Sequence, residues 1–126
     1  MSVVQSYRDL IVWQKAMELS TTVYSLLKIF PQDETYGIIA QMKRAAVSIA
    51  SNIAEGRKRG SRKDYRQFLI VACGSCAELE TQIELSRRLG FCTAQQCTVI
   101  DDLLTQVTKM LNAMIASLSY KLIANS

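Results

Sequence analysis

Apolar residues recur along most of this chain at steps of three and four, the spacing of one face of an α-helix. Leu10, Trp13, Met17, Tyr24, Leu27 and Phe30 trace a first face, and Ile39, Met42, Ala46, Ile49 and Ile53 a second. A third runs through Phe68, Ala72, Cys76, Leu79 and Ile83, and a fourth through Ile100, Leu104, Val107, Leu111, Met114 and Leu118. Punctuation separates them. Asp9 is a candidate N-cap, Pro31-Gln-Asp33 stops the first run, and Gly56 or Gly60 closes the second. Ser61 with Asp64, and Thr93 with Gln96, have the spacing of capping boxes, and Gly90 lies between. The pattern predicts helices over about 9–30, 34–56, 61–89 and 93–123. Short connections make successive helices antiparallel, so the expected fold is all-α: one antiparallel up-down-up-down four-helix bundle spanning residues 1–126.

Composition agrees with a packed domain. The chain has 126 residues, 49% of them hydrophobic, with one proline and five glycines. No basic start precedes an uninterrupted apolar run, and no run approaches the roughly 18 residues a membrane span needs, so a cytoplasmic, non-membrane protein is expected.

Charge is more telling. The net charge is +4, but residues 43–66 hold eight basic side chains against two acids, Glu55 and Asp64. That segment is +6, which leaves the rest at −2 from seven basic and nine acidic side chains. Six of the bases, Arg57, Lys58, Arg59, Arg62, Lys63 and Arg66, crowd the turn between the second and third helices. A basic pole on a mildly acidic body is a candidate polyanion contact. The other reading is a solvated turn that keeps the protein soluble.

A second pattern lies along the second helix, where Gln41, Arg44, Ser48, Asn52 and Glu55 form a polar stripe beside the apolar seam. One reading is a wet face; the other is a partly buried network. Equal-height bookkeeping across antiparallel neighbours brings Arg44 and Gln41 near Glu78, Asn52 beside Trp13 and Gln14, and Glu55 near Leu10. The expectation is an Arg44–Glu78 ion pair with Gln14 and Asn52 satisfying nearby polar groups. The small-residue run Ala72-Cys73-Gly74-Ser75-Cys76-Ala77 predicts close approach of a neighbouring backbone, within the bundle or from another subunit.

Candidate chemistry is sparse. The chain has no histidine, which removes the usual Ser-His-Asp triad and any E-x-x-H di-iron motif. No Gly-rich loop follows a strand. Cys73 and Cys76 have metal-site spacing, but the sixteen residues to Cys92 span about 24 Å in a helix, too far for both cysteine pairs to share one metal. Cys73, Cys76, Cys92 and Cys97 read as small buried thiols in a reducing compartment. No enzyme activity, cofactor or metal is expected.

The stretches YRDLIVWQKAMEL, FPQDETYGIIAQMKRAAVSIASNIAEGRKR and FLIVACGSCAELETQIELSRRLGF together resemble the 23S ribosomal RNA intervening-sequence proteins, over about residues 6–92. Ser48 to Gly56 is the most specific part, and the fourth helix matches only as an apolar pattern. The family pattern matches Trp13, Gln14, Gln41, Arg44, Ser48, Asn52, Glu55, Gly56, Ser75 and Glu78, among others. The resemblance implies a homopentamer of bundles and an RNA-binding role. It also extends to accessory variability proteins of diversity-generating retroelements, which work with a reverse transcriptase and its RNA. On an assumed pentamer, the +6 segment repeats to about +30 on one rim. Two functions follow: binding of structured RNA through the basic turn, with weak sequence preference, or an adaptor oligomer acting through protein partners such as a reverse transcriptase.

Overall fold

The computed structural model describes residues 6–124. Among them are four α-helices, α1 (Ile11–Leu27), α2 (Ile38–Lys58), α3 (Arg62–Arg88) and α4 (Thr98–Ala124), and no strand. Consecutive helices pack on each other, α1 also packs on α4 to close the ring, and α2 against α3 is the most extensive contact. The four-helix bundle read from the periodicity is the fold. No described helix is long and apolar enough to cross a membrane.

The buried seams follow the predicted period with one correction of phase. All five residues assigned to the seam of α2 are buried, from Ile39 to Ile53. On α1, however, Met17 and Tyr24 are each 41% exposed, and the core side is Val12, Ala16, Leu19, Val23, Leu26 and Leu27. Bulk misdirects the reading here: the large residues of α1 occupy two faces, and a small one, Ala16, marks the inner one. Phe68 likewise sits half out, and its neighbour Leu69 is fully buried. Along α4 the expected seam is buried except Met114, which is half-buried, and Leu103 joins it.

The element ends are also shifted. Asp9 does not cap α1. Ser6 caps a separate 3-10 turn (Tyr7–Asp9): its hydroxyl accepts from Arg8 N–H at 3.1 Å, and Asp9 Oδ2 accepts from Ser6 N–H at 3.2 Å. That turn is tied to α1 by Gln14, whose Nε2 donates to Arg8 O at 2.9 Å, and by edge-on contact of the Tyr7 and Trp13 rings. Helix α2 begins four residues later than expected, because a 3-10 turn (Gln32–Glu34) uses the intervening chain. At the far side of the bundle Thr93 and Gln96 form the anticipated reciprocal box, with bonds of 2.9 and 3.2 Å. It organises a 3-10 turn (Gln95–Cys97) that leads into α4 at Thr98.

Gly56 does not end α2; it lies inside the helix, buried. The turn residue is Gly60, whose φ of +85° is one that side-chain-bearing residues rarely adopt. Gly56 instead permits close packing, since a Cβ there meets Phe68 Cβ at 2.6 Å and Tyr65 Cδ1 at 3.3 Å. The obstructing atom is the root of a side chain and cannot swing aside. Gly56→Ala therefore loses about 1–2 kcal/mol in urea unfolding: overpacking costs up to about 3 kcal/mol, and the better helix propensity of alanine returns about 1.

Candidate nucleic-acid interface

The close approach at Gly56 brings the C-terminal end of α2 against the N-terminal end of α3. Between them the chain reverses through Gly60, and Ser61 caps α3 by accepting from Asp64 N–H at 3.1 Å. All six predicted bases, Arg57 to Arg66, therefore sit at one end of the bundle on two adjoining helix termini. Lys58, Arg59, Arg62 and Lys63 are exposed, whereas Arg57 and Arg66 are half-buried.

The six are not equally free. Arg59 pairs with Glu55 at 3.0 Å and lies over the Phe68 ring, 5.1 Å from its centroid. Arg66 Nε donates to Ser119 Oγ at 2.6 Å, which ties the basic end of α3 to the last turns of α4. Lys43 and Arg44 do not belong to this pole. They lie fourteen and thirteen residues before Arg57 on the same helix, about 20 Å away along its axis. The pole itself is therefore +4 per chain, six bases against Glu55 and Asp64, and the figure of +6 for the whole segment overstates it.

Tertiary structure adds residues that spacing did not reveal. Tyr7 and Ser6 share a cleft of about 180 Å³ with Arg57 and Lys58. Exposed Arg8 belongs to the same turn, and its guanidinium lies 5.9 Å from the Tyr7 ring centroid. Tyr120 and Lys121, both exposed, follow Ser119 in the last turns of α4. A smaller cleft of about 100 Å³ lies among Gly56, Arg57, Gly60, Ser61, Arg62 and Tyr65. Tyr65 is no open stacking platform, because its ring is half-buried against the core. Burial raises its phenol pKa, and the Arg57 guanidinium opposes that shift.

The polar stripe divides into a wet part and a bonded part. Gln41, Arg44 and Glu55 are exposed, as are Gln14 and Glu78. The expected Arg44–Glu78 ion pair is not formed; both side chains line an open groove instead. Gln14 and Asn52 do satisfy nearby polar groups: Gln14 Nε2 donates to Arg8 O, and Asn52 Nδ2 donates to Ser48 O at 2.8 Å and to Ser48 Oγ at 2.9 Å. Ser48 Oγ lies 2.9 Å from Ser75 Oγ, so the real cross-link between α2 and α3 is a pair of hydroxyls. Arg44 and Gln41 do lie beside Glu78 across the α2–α3 groove, but their rotation about the helix axes turns them outward.

Outside this cross-link runs a groove of about 680 Å³ lined by Tyr24, Lys43, Arg44, Val47, Ser48, Ser75 and Glu78, among others. Tyr24 and Val47 are exposed, and Lys43 Nζ lies 5.1 Å from the Tyr24 ring centroid. On α3, Val71 and Gly74 adjoin Ser75 on the same outward side. A Cβ on Gly74 meets nothing within 4 Å, so the expected close approach there does not occur inside the bundle.

Of the four free thiols, Cys76, Cys92 and Cys97 are buried and Cys73 is half-buried. Burial pushes Cys76 up to about 11 and raises Cys73 as well. Among the described residues no group of three or more His, Cys, Asp or Glu is placed to hold a metal ion.

The model of the 23S rRNA-intervening sequence protein family matches residues 8–113, which carries the likeness through the first half of α4 as well. The chain belongs to this family. A crystal structure from Bacteroides thetaiotaomicron, described as a protein of unknown function from the S23 ribosomal protein family, superposes with a TM-score of 0.77 at 27% identity. The match covers 83% of this chain and 98% of that one. No functionally curated protein matches the chain.

Proposed function

We propose that this intervening-sequence family protein is a non-enzymatic, cytoplasmic oligomer that binds structured RNA through the pole formed by α2 and α3. The observation that carries the reading is the convergence of Arg57, Lys58, Arg59, Arg62, Lys63 and Arg66 on one end of the bundle, four of them exposed. Phosphate contacts of this kind give electrostatic affinity with weak sequence preference. The open Gly74 and the exposed Tyr24, Val47 and Val71 favour a second copy of the chain on the groove face, with a homopentamer the expected assembly. Five poles of +4 bring about +20 to one rim, enough to steer a polyanion.

Salt titration tests the RNA reading. In fluorescence anisotropy, affinity for a structured RNA hairpin falls about 1,000-fold between about 50 and 200 mM salt if six phosphates are neutralised. Salt-independent binding, or no binding at low salt, overturns it. The mass in solution tests the pentamer separately. The groove supports a second reading, an adaptor that holds a protein partner such as a reverse transcriptase, with the basic turn serving solubility.

A further inference from the structure

At the end of the bundle away from the basic pole, the turn from α3 to α4 holds two thiols in contact. Cys97 Sγ lies 3.4 Å from Cys92 Sγ, and both residues are buried, at 0% and 6% exposure. The chain between them is fixed from several sides. Gly90, at φ +78°, reverses the backbone after α3, and Phe91 N–H donates to Ser86 O at 2.9 Å. The Phe91 ring packs against Phe30 from the α1–α2 side at 5.7 Å between centroids. Thr93 and Gln96 close their reciprocal box across the residues that separate the two cysteines. The sulfurs therefore meet because the loop is built, and an approach of only about 1.4 Å separates contact from bonding distance.

The charged surroundings also bear on their chemistry. Arg87 reaches this turn from α3, bonding Asp101 Oδ2 at 3.0 Å and Glu84 Oε1 at 2.9 Å. It opposes the rise in the Cys92 pKa, which burial and the neighbouring thiol nonetheless push up to about 12. Cys92 thus rests as the protonated thiol. A thiolate forms rarely, and beside a cation when it does.

We propose that Cys92 and Cys97 are a site of reversible covalent modification, an intramolecular disulfide formed by exchange with a low-molecular-weight disulfide. The Cys92 thiolate attacks a sulfur of the reagent and expels one small thiol, leaving a mixed disulfide on Cys92. Cys97, after losing its proton, attacks the Cys92 sulfur and expels the second small thiol. The two protein thiols lose two protons and two electrons, and the reagent is reduced to two thiols. Cys92 leads because it alone of the two has measurable exposure. Contact of the two sulfurs favours ring closure over an arrested mixed disulfide. The bond would staple the start of α4 to the end of α3, at the end where Phe30 and Phe91 join the two turns.

The test is an equilibrium redox titration of the intact protein in mixtures of reduced and oxidised glutathione, held long enough for buried thiols to exchange. Samples are quenched with acid, unfolded, alkylated and weighed. The expected oxidised product has lost two hydrogens, retains two alkylatable thiols and yields a Cys92–Cys97 cross-linked peptide. That peptide and the two-hydrogen loss vanish in Cys92→Ser and in Cys97→Ala, which retain the helical circular dichroism of the parent. Four alkylated thiols at the most oxidising mixture, a Cys73–Cys76 linkage or a bond between chains would each overturn the assignment. RNA affinity does not enter the readout, so failure here leaves the reading of the basic pole untouched.

Discussion

Replacing Arg57, Lys58 and Arg59 together by glutamate lowers the affinity for structured RNA by at least about 1,000-fold at about 50 mM salt. Three phosphate contacts disappear, and three negative charges take their place at the same spot on the pole. Removing three contacts also flattens the slope of log affinity against log salt by roughly 2–3. The fold survives the change. Lys58 and Arg59 are exposed, and the Arg59–Glu55 pair is an exposed i,i+4 bridge with a contribution of about 0.5 kcal/mol or less. One structural cost does arise, because acids in the last turn of α2 oppose its dipole at about 0.3–1 kcal/mol each. A triple glutamine variant separates the effects by removing the cations without adding anions. Loss of RNA binding in both variants, with helicity and solution mass unchanged, is the expected result. Retained RNA binding sinks the reading, and loss of a protein partner alone transfers the pole to the adaptor reading.

The reasons why some of this was legible in the sequence are local ones. Helix α2 is read correctly because its inner positions, Ile39 to Ile53, are apolar and its outer flank includes polar Gln41, Arg44 and Glu55. Helix α1 lacks that contrast. Ile11, Met17 and Tyr24 are apolar yet outward, so period alone leaves two candidate faces, and only packing against α2 and α4 selects one. The exposed positions have a consequence of their own: apolar side chains left facing out on α1, α2 and α3 are what a second chain would cover. Similarly, six bases within ten residues are visible in the linear chain. The turn bearing Tyr7 and Arg8, and the end of α4 reached through Arg66 and Ser119, are about fifty residues away in sequence and join the pole only through the bundle's topology. Rotation about a helix axis explains the remaining error. Antiparallel pairing fixes height, so Arg44 and Glu78 do line one groove, but their outward orientation leaves them in water.

Ile53→Ala lowers the unfolding free energy by about 3 kcal/mol, measured by urea denaturation, because it empties a wholly buried site. Ile53 sits one turn before Arg57, within the same rigid stretch of α2 that Gly56 lets approach α3. Ile49, one turn earlier, and Leu69 of the same core cluster are also completely buried, so the site lies within the close-packed interior. The cavity therefore persists, and the loss exceeds the transfer free energy of the deleted carbons. RNA affinity, measured well below the midpoint of unfolding, stays near that of the parent, since none of the basic side chains has changed. This split between stability and binding is the signature of a scaffold that carries charge at its tip. A loss under about 1 kcal/mol would mean that α2 is not clamped between its neighbours, and then nothing in the packing would hold Arg57 and its companions beside Arg62 and Arg66.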